Sequence, residues 1–256
     1  MQIIDARTLQ ATEVRRRPGG LLRVCVHTSL VDSVDGPGDL RALLIADVLF
    51  RIAELDGTQV ITSWVESYPL EPGAQGLARA AGLLGIHPPE QRTPDAALTA
   101  ASGSPIDVRI ISPAVRTPQA GPELVIGVGL TRLPGALETV TAQGHDPLAV
   151  RLALLAHGHG QQALLGPEDV TQADALLHRW RQRVATWADA PSRPMHAATA
   201  RRLDAAFHQD LDTPAVLDAL RGLETEPGVP DGSRFETFVY ADRVLAVELP
   251  REIGRT

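Results

Sequence analysis

The sequence predicts an α/β fold, a parallel sheet over residues 1–143 followed by a helical region over residues 144–256. Three observations carry this. Leu21–His27 is an apolar strand that leads into a turn-rich stretch, Val31–Asp39, closed by Gly36-Pro37-Gly38-Asp39. After it Leu40, Leu43, Leu44, Val48, Leu49, Ile52 and Leu55 recur at three- and four-residue spacing, which predicts an amphipathic helix. Gly57–Val65 then reads as a second strand, and strand, glycine loop, helix, strand is the repeating piece of an open parallel sheet.

The remaining elements follow in order. Asp39 is the expected N-cap of the first helix. A short helix is expected over Gly76–Gly85, stopped by His87-Pro88-Pro89, and Thr93–Ser104 reads as a small-residue linker. Ile106–Ile111 and Leu124–Val128 are further strands. Asp146 caps a helix with Pro147 at its first position. Val170, Ala173, Leu177, Trp180, Val184 and Trp187 mark one face of a long helix, so both tryptophans read as core. Helices near His196–Phe207 and from Thr213 through Leu220 come next. Arg234–Leu249 fits either a helix, with Phe235, Phe238, Val239 and Leu245 inward, or a hairpin turning at Ala241-Asp242. There is no internal repeat.

Composition narrows the function classes. With 256 residues the chain can bury a proper core. Its net charge is −7, and the densest basic run is Arg15-Arg16-Arg17, which argues against a tRNA partner because phosphate binding needs a basic face. All 24 basic residues are arginine, so chemistry that needs a lysine amine, such as a P-loop or a Schiff base, is excluded. The single cysteine, Cys25, excludes an internal disulfide and fits a reducing compartment. Met1–Gln10 has no signal-peptide pattern, and no apolar run approaches the roughly 18 residues of a membrane span, so a cytoplasmic location with no membrane partner is expected.

Two segments carry a family resemblance, Gly144-His145-Asp146-Pro147-Leu148-Ala149-Val150-Arg151-Leu152 with its continuation to His157, and Leu203–Leu217. They resemble the helices that follow the catalytic core in cysteinyl-tRNA synthetases. They are closer still to the related ligases that join cysteine to glucosaminyl-inositol in mycothiol synthesis. The resemblance extends to the first strand–helix–strand unit and to Leu83–Pro89, about two-thirds of the chain. It implies a shortened class I synthetase catalytic fold, a Rossmann-like parallel sheet, followed by a helical stem. Asp242-Arg243-Val244-Leu245 is similar to the family's closing helix, which favours helix over hairpin at that end.

The same resemblance implies a degenerate site. The family's HIGH tetrapeptide, which contacts ATP, falls on Gly36-Pro37-Gly38-Asp39, where only Gly38 matches. The mobile KMSKS loop falls near Gly127–Thr131, with Arg132 alone as a cationic substitute; Gly129 lies inside that stretch. A guanidinium is a rigid fork rather than a mobile point charge. The implied nucleotide-binding set is thus Gly36, Gly38, Asp39, Arg41, Gly127, Gly129 and Arg132, for ATP or an adenylate. His27 takes the place of the family's first zinc-binding cysteine and would face the amino acid, with Cys25 two residues away. Ser104–Gly127 contains no histidine or cysteine, so a four-ligand zinc site is not expected. Losing one preorganised charge-stabilising donor costs about 10²–10³ in rate, and losing four on the order of 10⁵.

Other patterns have plain readings beside the functional ones. His157-Gly158-His159-Gly160 has metal-like spacing but reads better as a helix C-terminal cap. Gly36-Pro37-Gly38 before a helix suits a phosphate cradle or a simple turn. Asp32, Asp35 and Asp39 suit Mg²⁺ less well than solvated loop carboxylates. The leading expectation is a synthetase-like protein that binds a nucleotide, an aminoacyl ligand or a protein partner without ordinary cysteine ligation. An active ligase rebuilt around Arg41, Arg132 and His27 is the alternative from the enzyme class. A structural subunit of a synthetase complex is the third.

Overall fold

Two short antiparallel strands, β1 (Gln2–Ile4) and β2 (Ala11–Glu13), open the chain. The computed structural model describes residues 1–15, 20–29, 36–65, 72–93 and 105–255; Arg16, Arg17, Asp32, Asp35 and most of the expected linker, residues 94–104, lie outside them. The sheet begins with β3 (Leu21–His27), then helix α1 (Pro37–Leu55), β4 (Gln59–Val65), α2 (Pro72–Leu83), β5 (Gln91–Thr93), β6 (Val108–Ile111) and β7 (Leu124–Gly127). All five strands pair in parallel in the order β5-β4-β3-β6-β7. The chain therefore winds outward on one side of β3 and returns to build the other side. Such a reversal leaves a crevice beyond the carboxyl ends of the two central strands. This is the α/β, Rossmann-like sheet that the sequence predicts.

Helix α1 starts three residues earlier than expected. Its N-cap is Gly36, in a left-handed conformation with φ 39°, and Pro37 opens the first turn. Glycine adopts that conformation without strain and proline is preset for the first helical position, so the pair outcompetes Asp39 as the cap. Asp39 instead sits inside the first turn, and its carboxylate accepts hydrogen bonds from Ser29.

Beyond β7 come β8 (Thr131–Arg132), α3 (Leu137–Ala142), α4 (Pro147–Leu155), β9 (Ala163–Leu164), α5 (Pro167–Trp187), α6 (Ala197–His208), α7 (Thr213–Thr225) and α8 (Asp231–Leu245). A 3₁₀ turn, Leu249–Glu252, follows. β8 and β9 pair in parallel and clasp the segment after the sheet to the loop after α4. The Asp146 carboxylate accepts from Leu148 N–H, as the cap motif predicts. The final segment is a helix, with Phe238 and Leu245 fully buried and Phe235 and Val239 only partly so. It stops at Ala246, whose φ of 49° is left-handed, and the Asp242 carboxylate accepts from Val247 and Leu249 N–H just beyond.

Trp180 and Trp187 are core residues, packed edge-on against Phe238 with ring centroids 5.5 and 5.0 Å away. The main buried cluster draws on both the sheet and the helical half, from Ile3 through Leu249. Among the described residues, no helix is long and apolar enough to cross a membrane.

Candidate functional site at the switch point of the sheet

The strand order reverses between β3 and β6, and a cleft of about 600 Å³ opens just beyond their carboxyl ends. Its walls come from Ser29 after β3, Gly36–Asp39 at the start of α1, Ser112–Ala114 after β6, and Leu130–Leu133 around β8. Of the residues singled out in the sequence, Gly36, Gly38, Asp39 and Arg132 line this cleft; His27, Arg41, Gly127 and Gly129 do not.

Gly38 is held to glycine by its neighbour. A Cβ there would lie 2.9 Å from the Pro113 ring, so the first turn of α1 is pressed against the corner that follows β6. Asp39 is 2% exposed, and its carboxylate accepts from Ser29 N–H at 3.0 Å and from the Ser29 hydroxyl at 3.3 Å. It is thus not the freely solvated loop carboxylate that the sequence suggested. Its negative charge lies in the first turn, where the helix presents its positive end, and offsets the field that would attract a phosphate. Arg132 is exposed on β8.

Arg41 is fully buried. Its guanidinium donates to the carbonyls of Gln161 at 2.7 Å, Gly158 at 2.8 Å and His157 at 3.2 Å. Those carbonyls follow the end of α4, so the side chain ties α1 to that end and supplies a cation where the helix dipole is negative. Burial lowers its pKa to about 10. The His157-Gly158-His159 motif is therefore engaged through its backbone. The His159 ring reaches the Gly127 carbonyl through Nδ1 at 3.3 Å and the Asp210 carboxylate through Nε2 at 3.0 Å. Gly129 permits a close backbone crossing, since a Cβ would fall 2.0 Å from the Gln161 oxygen.

His27 ends β3, and the Arg109 guanidinium contacts its Nε2. Arg109 is in turn paired with Glu123 at 3.0 Å. A cation against the ring nitrogen is the reverse of what a zinc ligand needs, and the Cys25 side chain packs with Val65 and Ile106. The residues around His27 do not fit the family's zinc. Among the described residues no group of three or more His, Cys, Asp or Glu is placed to hold a metal.

The sequence reading missed two features. One is Ser112, on the wall after β6, whose side chain is almost wholly buried. The other is a buried charge network midway along α1. Asp47 of α1 accepts from Arg151 at 2.6 Å, Arg51 at 2.8 Å and the His87 ring at 2.7 Å. Burial pushes the Asp47 carboxyl up, but His87, Arg151 and Arg51 outweigh it and hold it well below the usual carboxylate range.

No family model matches the chain. Among known proteins it is similar to enzymes named L-cysteine:1D-myo-inositol 2-amino-2-deoxy-alpha-D-glucopyranoside ligase. That of Thermomonospora curvata is 40% identical over 117 residues, which is 42% of this chain and 26% of the relative. That of Mycobacterium leprae strain Br4923 is 37% identical over 117 residues, 44% of this chain and 29% of the relative. That of Corynebacterium glutamicum is 31% identical over 132 residues, 48% of this chain and 31% of the relative. These matches are narrower than the two-thirds of the chain over which the motifs suggest resemblance, and each spans less than a third of the relative. Over somewhat less than half of its length, the chain is a partial homologue of these cysteine ligases, a group related to cysteinyl-tRNA synthetase.

Proposed function

We propose that the chain binds a nucleoside or adenylate-sized ligand in the switch-point cleft and does not carry out ordinary cysteine activation. The observation that carries this is Asp39. A carboxylate in the first turn of α1, at the cleft wall, disfavours a triphosphate through like-charge repulsion. The position of the cleft at a switch point, where α/β sheets bind nucleotides, supports the ligand class. Three further features support the absence of activation. Both histidines of the HIGH tetrapeptide are missing from Gly36–Asp39, Arg41 is engaged with carbonyls, and among the described residues Arg132 is the single cation on the cleft wall. Against a typical turnover of about 10 per second, a loss on the order of 10⁵ leaves negligible adenylate formation.

Cysteine-dependent exchange of pyrophosphate into ATP tests the chemical half of the proposal, and stabilisation against heat by adenosine tests the binding half. No exchange above background together with a rise in melting midpoint supports the reading. Exchange within about tenfold of an ordinary synthetase supports a rebuilt ATP-dependent ligase instead. Neither exchange nor stabilisation leaves a role as a partner subunit of a synthetase complex.

A further inference from the structure

Among the described residues, three that carry hydroxyls line the cleft: Ser29, Thr131 and Ser112. Two have protein partners. The Ser29 hydroxyl donates to Asp39, and the Thr131 hydroxyl donates to the Gly129 carbonyl at 3.0 Å. Ser112 differs. Its N–H donates to the His27 carbonyl at 3.2 Å and its carbonyl accepts from Val115 N–H at 3.0 Å, so its backbone is fully paired. Its residue is 1% exposed, yet among the described residues its Oγ has no hydrogen-bond partner. A buried polar atom without a partner is uncommon in native proteins and calls for a ligand or water to complete it.

The location gives this meaning. β3 and β6 are neighbours, and Ser112 follows β6 on one side of the point where the strand order reverses. The next residue, Pro113, is the one that would meet a Cβ on Gly38, so Ser112 adjoins the contact between the sheet and the first turn of α1. A serine hydroxyl moves between staggered rotamers about a single bond, so it can turn toward a ligand with no change in the backbone. The Asp39 carboxylate belongs to a residue of the same cleft wall, and a negative charge there disfavours phosphate and suits a neutral hydrogen-bonding group.

We propose that Ser112 determines specificity in the cleft, its hydroxyl hydrogen-bonding a neutral hydroxyl or amine of a nucleoside. This rests on reading the cleft as a nucleoside site. A site built to hydrogen-bond such a group rejects analogues that lack it, because its own polar atom is then left unpaired.

The test is calorimetric titration of adenosine into the wild type, Ser112→Ala and Ser112→Cys, with thermal melting of each free protein. Ser112→Ala is expected to weaken adenosine about tenfold, the effect of one hydrogen bond. Its melting midpoint should be unchanged or slightly higher, since the substitution removes an unpaired buried hydroxyl. Ser112→Cys, close in shape and a weak donor, should fall between the two. Equal adenosine affinity in wild type and Ser112→Ala would overturn the proposal while leaving the cleft reading intact. A Ser112→Ala protein that unfolds, or melts several degrees lower, would also overturn it by showing a structural hydroxyl. A wild type that binds no adenosine would remove both the proposal and the reading beneath it.

Discussion

Arg151 and Asp47 form a fully buried ion pair, Nη2 to Oδ2 at 2.6 Å, that joins α4 to α1. The same guanidinium donates to the Leu245 carbonyl at 2.6 Å and the Leu84 carbonyl at 3.0 Å, at the ends of α8 and α2. One side chain thus satisfies an aspartate and two carbonyls at helix ends. Asp47→Asn is expected to lower stability by about 3–5 kcal/mol, because it leaves the Arg151 charge buried without its counter-ion. Replacing both residues with apolar side chains of similar volume should cost less than either single change. Urea unfolding of the three variants checks the order; a single variant as stable as wild type would contradict it.

The pair also has a pH signature. The folded carboxyl of Asp47 is held well below its ordinary value, so its contribution to stability is complete above the unfolded value of about 4. It is lost as pH falls from there through the folded value. The stability difference between wild type and Asp47→Asn should shrink below pH 4, by up to about 1.4 kcal/mol per pH unit. Asp242 has the opposite sense, since burial raises its carboxyl; its contribution declines as pH rises through that raised value. Urea midpoints measured between pH 3 and 7 test the Asp47 trend, and a difference constant across that range would refute it.

Arg41 is where a structural and a ligand-binding role part most cleanly. Its three carbonyl bonds predict that Arg41→Met lowers stability by about 1.5–3 kcal/mol, the scale of hydrogen bonds to a charged donor. Adenosine affinity in the folded variant should stay within about twofold of wild type. A variant of normal stability that no longer binds would return Arg41 to the binding site.

Much of this arrangement is legible in the sequence, and the remainder is obscure for physical reasons. Leu21–His27 and the helices from Asp146 onward stand out because apolar periodicity and caps report burial directly. The start of α1 is displaced because glycine and proline at Gly36-Pro37 form a better N-terminus than the aspartate three residues beyond the glycine. β8 and β9, two residues each, are too short to leave a period. The ion pair leaves a readable trace, since Asp47 and Arg151 each interrupt an otherwise apolar run. A charge in such a run needs a buried partner. Ser112 leaves none, because a lone serine before a proline looks like any turn, and only the packing around it exposes an unpaired hydroxyl.

The proposed preference of the cleft for a nucleoside over a triphosphate hangs on Asp39 at the start of α1. Calorimetry of adenosine and ATP in Mg²⁺-free buffer, on wild type and Asp39→Asn, tests it most directly. Wild type is expected to bind adenosine more tightly than ATP, and Asp39→Asn to narrow the gap by improving ATP. Tighter binding of ATP than of adenosine by the wild type would contradict it and indicate a cationic phosphate site around Arg132.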